Sequence, residues 1–158
     1  MAGPKEIARI DCADTINSVA WSPQADALAA GLWEGAIRLL AWDADIRLAP
    51  QRSFTSDEIG STSHVSSLCF DVSGQWLLFN THPGGRVGLI HLRAGRAQNA
   101  GTSNKNGDSA FSPDGRQLAF HTNRALLIGP AGDLAAARAV YTHPSRPPDS
   151  LAWHPNRS

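Results

Sequence analysis

Short apolar runs recur along this chain, each ended by a large aromatic and followed by turn-forming residues. The first is Ser18-Val19-Ala20-Trp21, followed by Ser22-Pro23. The second is Ser67-Leu68-Cys69-Phe70, followed by Asp71-Val72-Ser73-Gly74. The third is Ser109-Ala110-Phe111, followed by Ser112-Pro113-Asp114-Gly115, and the fourth is Ser150-Leu151-Ala152-Trp153 with His154-Pro155. The aromatics lie 49, 41 and 42 residues apart, and Leu28, Leu77 and Leu118 each stand seven residues after theirs. Each run predicts a strand buried on both faces, which places Trp21, Phe70, Phe111 and Trp153 in a core. The turn residues reverse the chain: proline presets φ, Asp caps its own backbone, and Gly accepts positive φ. The leucine then belongs to a second strand, paired with the first.

A polar break follows each second strand, at Trp33-Glu34-Gly35, Pro83-Gly84-Gly85 and Asn123-Arg124. Third strands are predicted at Ile37–Trp42, Val87–Leu92 and Ala125–Ile128. Weaker outer strands fall near Gln51–Thr55, Arg96–Asn99 and Ala137–Tyr141, and Ile7–Ile10 reads as an outer strand at the start. The segments Ser53–Ser67 and Ala94–Asp108 read as polar connectors, and Ser145-Arg146-Pro147-Pro148 as a stiff lead-in to the fourth run.

A period of about 40–45 residues with several strands per unit marks a β-propeller. The pattern resembles the WD-repeat family, whose blades are four-stranded antiparallel sheets around a channel. Trp42-Asp43 falls where that family carries its Trp-Asp, and Phe111–Gly115 with Leu118-Ala119-Phe120 matches best. The repeats are of the divergent, bacterial type. Gly60 is followed by Ser61 in place of the family's Gly-His, with His64 three residues further on. The family's hairpin Asp is replaced by Glu34, Gly84 or Gly85, and Asn123. The buried His–Ser–Asp–Trp hydrogen-bond chain is therefore not expected.

The expected fold is all-β, with about three complete propeller blades and a partial fourth. One domain over residues 1–158 divides into units near 11–55, 60–100, 106–141 and a partial 142–158. A closed ring takes about four to eight blades. Three arrangements are open: a piece of a larger propeller, self-association of two copies, or an open arc capped by another chain.

Fourteen basic side chains balance fourteen acidic ones. A near-zero net charge provides no long-range field for nucleic acid or an anionic membrane, so a protein or peptide partner is expected. No apolar run reaches the roughly 18 residues of a membrane span. The N-terminus lacks a secretory apolar region. Cys12 and Cys69 are far apart in sequence and read as free buried thiols, which implies a cytoplasmic protein.

Chemistry-bearing patterns are sparse. No two of the six histidines lie three to five residues apart, and no Cys-x-x-Cys occurs, so no metal site is expected. Neither a Gly-x-Ser-x-Gly elbow nor a Gly-Lys-Ser/Thr phosphate loop is present. Gly84-Gly85-Arg86 reads as a hairpin turn, and Asp43-Ala44-Asp45 as a solvated connector. No catalytic residue and no cofactor is expected. Trp76 is assigned to packing between blades. Trp33 lies in a hairpin, where it either packs on the next blade or anchors a partner.

By analogy with the family, the hairpins between second and third strands share a rim with the loops entering the inner strands. That rim commonly binds peptides. The candidate binding residues are Trp33, Glu34, His64, His82, Arg86, Asp108, His121, Asn123, Arg124 and Asp149. The expected function is a non-catalytic protein- or peptide-binding scaffold. The alternative is a sensing or substrate-gating propeller within a larger enzyme, such as a peptidase or a signalling ATPase or kinase.

Overall fold

A computed structural model describes residues 9–12, 14–42, 48–103, 109–122, 124–142 and 151–154. Three four-stranded antiparallel sheets follow one another along the chain. The first blade is β1 (Ile16–Trp21), β2 (Ala27–Leu32), β3 (Ile37–Trp42) and β4 (Leu48–Phe54). A single-turn helix, α1 (Ser56–Ile59), leads to the second blade: β5 (His64–Phe70), β6 (Trp76–His82), β7 (Gly85–His91) and β8 (Arg96–Ser103). The third is β9 (Ser109–Phe111), β10 (Gln117–His121), β11 (Ala125–Pro130) and β12 (Arg138–Thr142). Within each sheet the strands lie side by side in chain order. Among the described residues no helix is long and apolar enough to cross a membrane.

The period-2 alternation of a strand explains how blade 2 serves two seams at once. Leu77 and Phe79 of β6 point towards blade 1 and join Ala29, Ile37, Leu39 and Phe54 in one core. Leu78 points the other way and joins Phe111, Leu118 and Phe120 of blade 3. Both faces of β6 are therefore dry, which is why it opens with the apolar run Trp76–Phe79. The Phe79 ring needs room on its cross-strand partner Gly88. A Cβ at Gly88 would lie 2.0 Å from Phe79 Cζ.

The inter-strand turns repeat one design. Ser22, Asp71 and Ser112 each accept a backbone hydrogen bond from the residue three positions on, namely Ala25, Gly74 and Gly115. That residue has positive φ in all three: 56° at Ala25, 69° at Gly74 and 70° at Gly115. Asp71 further accepts from the backbone N–H of Trp76 at 2.8 Å and from that of Ser73 at 3.2 Å.

Three expectations are corrected. Trp21 is 54% exposed, whereas its counterparts Phe70 and Phe111 are 8% and 9% exposed. Ser18 and Ala20 face blade 2, so Val19 and Trp21 face the other side, where no further described blade stands. Leu151–His154 is not a strand, although Trp153 Nε1 donates to the Ala110 carbonyl at 3.1 Å. Arg9 and Ile10 are likewise not in a strand, and residues 7 and 8 lie outside the described set. Asp43-Ala44-Asp45 is also outside it.

Candidate functional site

The β2–β3 hairpin of blade 1 leans on the connector that enters blade 2. Its backbone closes with Leu32 N–H donating to Ala36 O, and Asp14 accepts the N–H of Glu34 at 3.1 Å. Gly35 has φ +84°, and a Cβ there would lie 2.8 Å from Ser61 O. Only glycine fits that approach without displacing backbone. The close fit carries Trp33 across the seam onto blade 2.

Trp33 stacks on His64 with ring centroids 4.7 Å apart and planes 9° from parallel. His64 pairs directly with His82 across β5 and β6, and the two imidazoles meet edge-on at 5.5 Å. Nδ1 of His82 is buried with no hydrogen-bond partner among the described residues. Trp33 remains 58% exposed. It therefore packs on the neighbouring blade and still presents an aromatic face to solvent.

On the other side of the connector, Arg86 overhangs a shallow cleft of about 450 Å³. Ser56, Ser61, Thr62 and Ser63 supply hydroxyls to it, and Asp57 its one carboxylate. Thr81 Oγ1 accepts the backbone N–H of Arg86 at 2.8 Å and is 3.0 Å from Ser61 Oγ. Ser63 Oγ donates to Pro83 O at 2.8 Å. The arrangement can take a mixed polar and aromatic ligand: a π-face, imidazoles, hydroxyls and one guanidinium.

The structure thus brings together Trp33, His64 and His82, with Glu34 beside them and Arg86 across the connector. Arg124 is exposed on the hairpin of blade 3. His121 is buried at the end of β10, beneath the rim surface. Asp108, Asn123 and Asp149 lie outside the described residues.

Sequence reasoning missed α1 and the hydroxyls of the cleft, all inside a segment read as a plain connector. The signal was present. Thr55 and Glu58 have capping-box spacing, and each side chain bonds the other's backbone N–H. Those hydrogen bonds from Thr55 hold the Glu58 carboxyl below its ordinary range. Gly60 ends the helix in the left-handed region.

Cys12 and Cys69 are free thiols, and burial pushes the Cys69 thiol up. Among the described residues, no group of three or more His, Cys, Asp or Glu is placed to hold a metal ion.

Against known proteins, the family model "WD domain, G-beta repeat" matches residues 5–43, which span the first three strands. No curated protein matches the sequence. Many solved structures share the fold, among them the following. A proposed 6-phosphogluconolactonase from Bacteroides uniformis superposes with a TM-score of 0.67 at 18% identity, over 90% of this chain and 45% of that one. The WD40 repeats of RRP9 superpose at 0.66 and 14% identity, over 85% of this chain and 39% of that one. U3-55K superposes at 0.65 and 14% identity, over 85% and 40%. The chain spans less than half the length of each.

Proposed function

Because the chain folds into propeller blades of the WD-repeat kind, we propose that it is a non-catalytic scaffold binding a protein or peptide on its hairpin rim. The observation that carries this reading is Trp33. A large aromatic held rigid by stacking, yet more than half exposed, is the usual form of an interface anchor. His64, His82 and Arg86 flank it with adaptable polar groups. The mixed charges of the chain favour a peptide over nucleic acid or a membrane surface. Free thiols fit a cytoplasmic setting.

Peptides selected by display on the wild-type chain test this reading. Replacing Trp33, Arg86 and Arg124 together with alanine weakens the selected peptides by about a hundredfold. Unchanged affinity in the triple variant sinks it.

We propose further that these blades belong to a larger ring, as a piece of a larger propeller, by self-association of two copies, or capped by another chain. Trp21 supports this, since it holds the position at which Phe70 and Phe111 pack on a preceding blade. Light scattering after size exclusion, with a dye for exposed apolar surface, tests it. A monomer that binds no dye counts against the idea.

A further inference from the structure

The rim opposite Trp33 carries the β1–β2, β5–β6 and β7–β8 turns, and the two seams differ there. Between blades 2 and 3 the seam is plugged. Leu134, in the turn joining β11 to β12, is buried in the shared core. Gln98 Oε1 accepts the backbone N–H of Leu134 at 3.3 Å, and Gln98 Nε2 donates to Gly132 O at 3.1 Å. One carboxamide on β8 thus grips the backbone while an apolar side chain fills the gap.

Between blades 1 and 2 the same frame lacks its plug. Leu39 pairs with Arg52 in blade 1, as Leu89 pairs with Gln98 in blade 2. Arg52 is therefore the counterpart of Gln98. The facing turns start in the same register, with Leu92 N–H donating to Gln75 O and Ala131 N–H to Arg116 O. The β7–β8 turn covers residues 92–95, and the β11–β12 turn residues 131–137. The shorter turn does not reach back into the seam. A cleft of about 320 Å³ remains, with Leu39, Phe70 and Leu92 in its wall. Arg52, Arg93 and Asp26 line it as well. The Arg52 guanidinium lies 4.5 Å from the Phe54 ring centre and passes over Gly95, where a Cβ would be 2.2 Å from Nη1.

We propose that this cleft binds the free C-terminus of a partner protein ending in an apolar residue. The terminal side chain takes the place that Leu134 takes in the neighbouring seam, and the carboxylate meets Arg52. A carboxamide both donates and accepts, so Gln98 suits a peptide group within a chain. A guanidinium only donates, in a planar fork matching two carboxylate oxygens, so Arg52 suits a chain end. Arg52 and Arg93 set against Asp26 leave one net positive charge, which fits a single carboxylate. The volume lies in the range of small-ligand pockets. This site is separate from the Trp33 rim and does not depend on it.

The test is a ¹H–¹⁵N NMR titration of the whole chain with acetyl-Ala-Gly-Ser-Leu, as the free acid and as the C-terminal amide. The acid is expected to shift the amides of Gly74 and Gly95. Amidation, or Arg52→Gln, weakens binding by about tenfold, while Trp33→Ala leaves it unchanged. Arg93→Gln puts the same question if Arg52→Gln disturbs the spectrum as a whole. Lengthening the β7–β8 turn to the sequence of residues 131–137 plugs the cleft and abolishes the shifts. Equal binding of acid and amide, shifts confined to the Trp33 rim, or no shift at about 10 mM peptide would overturn the proposal.

Discussion

Blades 1 and 2 are built to one plan and live in different surroundings. Blade 2 is sandwiched, and Leu77, Leu78, Phe79, Leu89 and Ile90 are fully buried. Blade 1 has a described neighbour on one face, and Ile16, Val19 and Trp21 are exposed. The contrast reaches the turns. Blade 2 uses Gly74 at its positive-φ position and satisfies it with Asp71, whereas blade 1 uses Ala25 and Ser22. A repeat motif therefore specifies the path of the backbone, and the neighbours decide what each side chain is worth.

The sharpest way to break this comparison is to truncate the two equivalent aromatics. Phe70→Ala is expected to cost about 3–5 kcal/mol, because it removes a buried ring from the core between blades 1 and 2. Trp21→Ala is expected to cost about 1 kcal/mol or less in the isolated chain, since its site is already wet. Urea unfolding midpoints check both, and equal losses would show that blade 1 is covered in solution.

The next effect lies at the seam between blades 2 and 3, where Asn80 Nδ2 donates to Ser109 Oγ at 2.8 Å in a buried position. Ser109→Ala strands that donor and is expected to cost about 1–3 kcal/mol. A side-chain bond between blades 1 and 2, Ser18 Oγ to Val65 O, is only part-buried, so Ser18→Ala should cost less in the same unfolding assay.

A gain comes third. Ala25 occupies a left-handed conformation that its Cβ disfavours. Ala25→Gly gives blade 1 the residue of its siblings and is expected to raise stability by about 1 kcal/mol, read from the thermal midpoint. A loss would show that the Ala25 methyl makes contacts worth more than the strain.

The smallest effect depends on pH. Burial raises the Cys69 thiol, so the folded chain holds that proton when the unfolded chain has released it. Stability from this group is present below the ordinary thiol range and falls as pH rises through it. Cys69→Ala should flatten the decline in unfolding midpoint between about pH 8 and pH 9.5. An unchanged slope would assign the decline to other groups.

The order and pairing of the strands were legible because strand period, turn residues and repeat spacing agree with one another. Even the weak outer strands that end the three blades fall within a few residues of their predicted places, although Arg9 and Ile10 do not form one as expected. Exposure was not legible, since Trp21 and Phe70 share a motif and differ only in what stands beside them. The His64–His82 contact was hidden for another reason. The two residues are far apart in sequence and meet only through the β5–β6 register, which local spacing cannot reveal. The cleft between blades 1 and 2 depends on the length of a turn on the facing blade, not on any motif.

That turn length has a consequence for how such a molecule changes over time. Lengthening a surface turn by a few residues adds little closure entropy, and no strand has to shift register. A single small insertion or deletion thus converts an open cleft into a filled one, or reverses it, without disturbing the sheets. Each seam can thus be opened or filled independently of the other, one turn at a time.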